Sequence, residues 1–289
     1  MFLFASHLQF AGVARRWCHW LGALLFWFPA FAGAQLLSSA PAPSSLPPFL
    51  QTLEHSGKAR VLRSFTTDVP GLTGYVVRHG ASVDLVYGEN GYLFIGQLIS
   101  PRGDDLTANY SARYLPKPDY AAAIKRLDGA GHMIIEGAHD APVLYVFVDP
   151  NCIFCQRFYQ MAEPLIAAGK LQVHWVVVGF LQSTSMDRAV AILSAKDPAR
   201  EWHFNEHHFD VSHEKGGIKP DTAPHAALKT LIKARFSTME SLGGNGTPTL
   251  LYRDGHQHWA AWIGLTTRQW LVDYANGKVG QNPSGASSR

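Results

Sequence analysis

Val143 to Val148 is apolar at every position, and four residues after it comes Cys152-Ile153-Phe154-Cys155. An unbroken apolar run of this length reads as a strand buried on both faces, not as one with a wet side. After the cysteines, Phe158, Met161 and Leu165 recur at helical spacing, which predicts an amphipathic helix with Pro164 kinking it. A buried strand, a cysteine pair and a helix in immediate succession leave few folds open.

The rest of this half extends the pattern. Leu171 to Gly179 reads as a second buried strand, and residues 185–242 as mostly helical, with turns near Asp197-Pro198 and Gly216-Gly217. Leu250 to Arg253 and Trp259 to Ile263 read as a strand pair, and Thr266 to Ala275 as a closing helix. Strand–helix–strand, helical insertion, hairpin and helix is the order of a thioredoxin-like α/β domain, assigned here to 139–279 with its insertion at about 185–242. Residues 280–289 are polar and read as a disordered tail.

The first half is different material. Arg15 and Arg16 precede an apolar stretch from Trp17 to Phe31, and Ala32-Gly33-Ala34 supplies small residues where a signal peptidase reads. Residues 1–34 are therefore expected to be a cleaved signal peptide rather than a membrane anchor, since the apolar run is shorter than the ~20 residues a spanning helix needs. Residues 35–50, rich in Ser and Pro, read as a loose lead-in. From Lys58 to about Tyr114 the hydrophobicity alternates with period two, and Glu89-Asn90-Gly91 is a hairpin signal. That predicts a small antiparallel sheet, with 35–114 as one domain. Residues 115–138 read as a connector with a helix from Tyr120 to about Leu127 capped by Asp119, and Gly129 to Gly137 as a loop.

Composition narrows the function. Hydrophobic residues at 47% supply real cores, while a net charge of +3 without a dense basic stripe points away from nucleic acid. The chain has 3 cysteines, and Cys18 leaves with the leader, so an exported protein carries Cys152 and Cys155 in an oxidising compartment. A structural disulfide across so short a loop stabilises little. Zinc at the cysteines lacks a second ligand pair. His203, His207, His208 and His213 are clustered, His203 and His207 at one-turn spacing, but nothing in the sequence brings them to the sulfurs; metal binding by the cluster alone is left open against a plain polar helical face, and no metal and no cofactor is assigned.

A redox pair remains. At a helix start, backbone N–H groups without intrahelical partners favour an anion, so Cys152 is expected to ionise readily. Cys155, one turn on, is expected to be more buried and to resolve the mixed disulfide that Cys152 forms. These roles need Cys152 to be reachable from solvent. The second candidate feature is Thr247-Pro248, in Gly246-Thr247-Pro248-Thr249 just before a strand: a cis bond there would turn the Thr247 backbone toward a bound peptide.

These residues carry a resemblance. Ala141 to Pro150 with Cys152-x-x-Cys155, Ala191 to Ala199, and Gly246-Thr247-Pro248 resemble the periplasmic thiol:disulfide interchange proteins of the DsbC/DsbG family, closer to the DsbG branch. The resemblance implies a periplasmic homodimer with a cystatin-like α+β dimerisation domain, a linker helix and a thioredoxin-like catalytic domain. It implies reduction or isomerisation of disulfides, or reduction of sulfenylated cysteines, in exported proteins. A membrane reductase of the DsbD type would keep the pair reduced. Alternatives are a DsbA-like oxidase and a protein that is mainly a periplasmic chaperone. Between the cysteines, Ile153-Phe154 stands where the family resembles Pro-Tyr or Gly-Tyr, a difference that bears on redox poise.

Overall fold

The computed structural model describes residues 46–278, so the expected signal peptide at 1–34 and tail at 280–289 lie outside the described residues. Among the described residues, no helix is long and apolar enough to cross a membrane.

The period-two segments form a four-stranded antiparallel sheet in chain order: β1 (Arg60–Thr66), β2 (Thr73–His79), β3 (Ser82–Glu89) and β4 (Tyr92–Phe94). The two-residue turn from β3 to β4 holds Asn90 at φ 50° and Gly91 at φ 82°. Both are left-handed, as a hairpin turn of this kind requires. Tyr75, Val77 and Val86 face one side of the sheet, and Val76, Leu85 and Tyr87 the other.

A helix covers each face, and neither was expected. α1 (Pro48–His55) begins inside the stretch read as a lead-in. The prolines there look like breakers, but Pro48 takes the first helical position, where a missing N–H costs nothing; Leu50 then packs on Tyr75, Val77 and Val86. α2 (Leu106–Tyr114) lies in the stretch read as sheet, and Asp105 caps it by accepting from the Ala108 N–H at 2.8 Å. Its Tyr110 is buried against Phe65, and the phenol donates to Asp68 Oδ2 at 2.7 Å.

The second sheet contains β5 (Ile134–Glu136), β6 (Val143–Val148), β7 (Gln172–Val177), β8 (Thr249–Arg253) and β9 (Trp259–Ile263) in the order β5-β7-β6-β8-β9. β6 and β7 are parallel; the remaining pairs are antiparallel. The loop expected from Gly129 to Gly137 is corrected by β5, which pairs Ile134 with Trp175 and Glu136 with Val173. Three residues are too few to show a period, and the partner strand is what makes them a strand.

β6 explains why its sequence is apolar throughout. Leu144, Val146 and Val148 enter one core, while Tyr145 and Phe147 enter the other. The first core takes Phe158, Tyr159 and Ala162 from α4 (Ile153–Ala167), Ala189 and Ile192 from α5 (Ser185–Ser194), Trp202 from α6 (Pro198–His207), and Leu271 from α8 (Arg268–Ala275). The second takes Ala123, Ile124 and Leu127 from α3 (Tyr120–Gly129) and Met239 from α7 (Ala226–Ser241). Each large apolar side chain buried this fully contributes about 1.5–3 kcal/mol. Asp119 caps α3 as expected, accepting from Ala122 N–H at 2.9 Å. Pro164 sits inside α4 without ending it.

Candidate active site

β6 ends at Val148, and Asp149-Pro150-Asn151 carries the chain to Cys152, the residue that caps α4. Cys152 has extended backbone angles, φ −93° and ψ 110°. Its carbonyl accepts from the Cys155 and Gln156 N–H groups at 3.0 and 3.1 Å. Its sulfur accepts from the Cys155 N–H at 3.2 Å. An N-cap is usually an oxygen; here a thiol takes the place.

This position lowers the Cys152 pKa below its ordinary 9.0. A hydrogen bond from the Cys155 thiol is the largest cause; burial opposes it, and the Thr247 side chain and the Cys155 and Phe154 N–H groups add to it. Cys155 goes the other way. Burial, and then the neighbouring Cys152 sulfur, push its thiol well above 9.0. Both cysteines are free thiols.

The Thr247–Pro248 bond is cis, and the Cys152 thiol donates to the Thr247 carbonyl at 3.2 Å. The Thr247 hydroxyl is buried and has no hydrogen-bond partner, and it lies near both sulfurs, where it favours the ionised form of each.

Cys152 is less open than an attacking sulfur was expected to be. It keeps 3% of its surface and Cys155 none. The thiol is turned inward onto the Thr247 carbonyl and backed by the start of α4. A substrate sulfur must enter along the remaining opening or displace that thiol from Thr247. Phe154 lies beside the pair, 48% exposed, with the Arg157 guanidinium 5.5 Å from its ring centre.

Several supporting residues escaped the sequence reading. Asp149, fully buried, accepts from the Asn151 N–H at 2.9 Å, the Ser185 hydroxyl at 2.7 Å, and the Phe180 and Leu181 N–H groups at 2.8 and 3.0 Å. Asn151 donates to Thr184 and Ser185, each at 3.0 Å, and accepts from the Gly216 N–H at 3.0 Å. Asn205 donates to the Pro150 carbonyl at 3.0 Å. Gly216 is required by this close approach, since a Cβ there would stand 2.2 Å from Asn205 Oδ1 and 2.4 Å from the Pro150 oxygen. These bonds hold the loop that aims Cys152. Buried polar groups are paired in this way or they destabilise the fold. Their one local signal was three non-aliphatic residues directly after a buried strand.

Glu206 was missed as well. It is 1% exposed, one carboxyl oxygen accepts from Asn205 Nδ2 at 2.8 Å, and the other has no partner. Burial raises its pKa well above the carboxylate range, and Cys152 and Asp149 raise it further against the opposing Asn205 bond.

The clustered histidines do not meet the sulfurs. His203 and His207 turn to Tyr159 and Glu163 on α4, His208 stacks on Phe204 with ring centres 4.1 Å apart, and His213 pairs with Asp210 at 2.7 Å.

A family model described as a thioredoxin-like domain matches residues 132–276. The thiol:disulfide interchange protein DsbG of Pseudomonas aeruginosa is 30% identical over 230 residues, covering 76% of this chain and 85% of the relative. DsbG of Escherichia coli is 27% identical over 253 residues, covering 86% and 95%. Among solved structures, ScsC of Proteus mirabilis in a compact conformation aligns with a TM-score of 0.43 at 20% identity, over 60% of this chain and 86% of that one. From the family match and the two relatives, the chain belongs to the DsbC/DsbG family of thiol:disulfide interchange proteins, oxidoreductases built on the thioredoxin fold.

Proposed function

We propose that this protein reduces or isomerises disulfides of exported proteins in the periplasm, with Cys152 attacking and Cys155 resolving. The observation that carries the reading is the geometry of the pair: the Cys152 sulfur caps α4 and accepts from the Cys155 N–H while Cys155 is fully buried, which lowers the first thiol's pKa and raises the second's. The Cys152 thiolate attacks one sulfur of a substrate disulfide, the S–S bond breaks, and the other substrate sulfur leaves as a thiolate. In isomerisation a substrate thiolate then attacks the mixed disulfide and frees Cys152, with no net electron transfer. In reduction Cys155 gives up its proton and attacks the Cys152 sulfur; the mixed-disulfide bond breaks, the second substrate sulfur leaves as a thiolate with the pair of electrons, and Cys152–Cys155 becomes a disulfide. A sulfenylated substrate cysteine enters the same cycle, with water leaving in place of a thiol.

Thr247 and Pro248 form the peptide-binding side of the site, where the turned backbone offers a substrate strand its hydrogen-bonding groups. In this reading residues 1–34 are a cleaved export signal. Residues 35–114 form a dimerisation domain, 115–138 link it to the catalytic domain at 139–279, and two chains form a homodimer. A membrane reductase of the DsbD type returns the oxidised pair to dithiol.

The mature, reduced chain should restore activity to a scrambled-disulfide substrate, and Cys152→Ser should abolish this. Cys155→Ser should accumulate a mixed disulfide through Cys152, visible by mass spectrometry. Full activity of the Cys152→Ser chain overturns the assignment. Sedimentation of the mature chain as a monomer overturns the dimer.

A further inference from the structure

α6 carries His203 and His207 one turn apart, and both rings turn toward Glu163 and Tyr159, which lie one turn apart on α4. His207 Nε2 is 2.8 Å from Glu163 Oε1, and His203 Nδ1 is 4.0 Å from the same oxygen. One donor atom from each of these three residues lies within 4.8 Å of the others. The Tyr159 hydroxyl closes the group: it is hydrogen-bonded to His203 Nδ1, 3.1 Å from Glu163 Oε1 and 3.3 Å from His207 Nε2. A tetrahedral zinc ion with bonds of about 2.0–2.1 Å holds its ligands about 3.3 Å apart. The 2.8 and 4.0 Å separations bracket that value, so side-chain shifts of about an ångström would close the shell.

His203 is also oriented from behind. Its Nε2 lies 2.5 Å from Glu136 Oε1, and the other oxygen of that carboxylate accepts from Trp175 Nε1 at 2.6 Å. The Glu136 side chain is only 11% exposed. In the neutral ring this puts the proton on Nε2 and the lone pair on Nδ1, the atom that faces the cluster. A carboxylate placed behind a ligating imidazole fixes its tautomer and raises its basicity. The charge distribution agrees. Two carboxylates meet here, and among the described residues their ion-pair partners are His203 and His207 alone. Both rings and Glu163 remain partly exposed, which leaves a path from solvent.

We propose that Glu163, His203 and His207 form a binding site for a divalent transition-metal ion, zinc being the ion this donor set suits, with Glu136 as the residue that positions His203. Two imidazoles and one carboxylate are a set zinc accepts, with the fourth place left to water or to the Tyr159 phenol. The ion ties α6 of the helical insertion to α4, the helix that begins at the cysteine pair. It clamps the two helices and takes no part in the sulfur chemistry.

The test uses the mature, untagged chain carrying C152S and C155S, so that no thiolate contributes and the outcome does not depend on the redox assignment. Calorimetric titration with zinc chloride should show one equivalent bound. Cobalt chloride should give the visible absorption of a four- or five-coordinate site. His207→Gln, at a half-exposed position, should weaken zinc at least tenfold, and Glu136→Gln about ten- to a hundredfold. Excess zinc should raise the melting temperature of the parent and not of His207→Gln. Absence of stoichiometric binding overturns the proposal, as does an affinity or melting shift that His203→Gln and His207→Gln leave unchanged.

Discussion

β1 buries only Phe65 of its seven residues, whereas β6 buries five of its six. β1 lies at the edge of the four-stranded sheet; β6 is the middle strand of a five-stranded sheet with helices on both faces. The N-terminal sheet has one short helix on each face, and Leu62, Tyr92, Phe94 and Ile95 stay exposed. Around β6 the side chains are packed to exclusion of water. The comparison teaches why the thiols sit where they do. Shifting a pKa by burial and aimed hydrogen bonds needs surroundings that do not yield, and the second sheet provides them around the two cysteines.

The largest effect should come from cutting into that difference directly. Phe147→Ala, at a fully buried position of β6, should cost about 3–5 kcal/mol. Leu62→Ala, at a 39% exposed position of β1, should cost roughly 0.5–1 kcal/mol. Urea unfolding of both variants measures the pair. Equal losses would break the comparison and mean that the outer face of β1 is covered in solution.

A smaller effect should appear with pH. Cys152 ionises below 9.0 in the fold and Cys155 well above it. As pH rises toward 9, the native protein has already released the Cys152 proton that the unfolded chain still holds, so the reduced form gains stability. Above 9 the unfolded chain releases the Cys155 proton while the buried native thiol keeps it, and stability falls. Urea midpoints of the reduced chain, relative to the C152S/C155S chain, should therefore peak near pH 9; a flat difference would show that the packed sheet does not separate the two sulfurs. Over the same range, iodoacetamide should alkylate Cys152 with a midpoint below 9.0 and leave Cys155 unmodified.

The smallest effect is expected at Glu206. Because burial raises the Glu206 pKa well above the carboxylate range and disfavours its charged form, Glu206→Gln should leave the alkylation midpoint of Cys152 nearly unchanged. A clear drop in the midpoint would mean that a carboxylate charge had been present beside the sulfurs, and that this core is wetter than its packing implies.

Much of the fold was legible because its signals are local. The continuous run of β6, the Asp119 cap, the Asn90-Gly91 turn and the strands at Leu250 and Trp259 each depend on residues within a few positions of one another. α1 and α2 were missed because their helical stripes are short and sit among prolines or beside period-two strands. β5 was missed because it exists only as a partner of β7. The cradle of Asp149, Asn151, Ser185, Asn205 and Gly216 joins segments far apart in the chain, and no spacing rule links them.

By itself, the order of residues settled that two sulfurs would stand one helical turn apart where a buried strand gives way to a helix, because backbone geometry and apolar period act over a few residues. Packing decided the rest: that Cys152 keeps 3% of its surface, that its thiol meets the carbonyl of a residue 95 positions away, and that two histidines turn to a glutamate on α4. Those outcomes follow from how distant segments fill a shared volume, and no stretch of the chain carries that information alone.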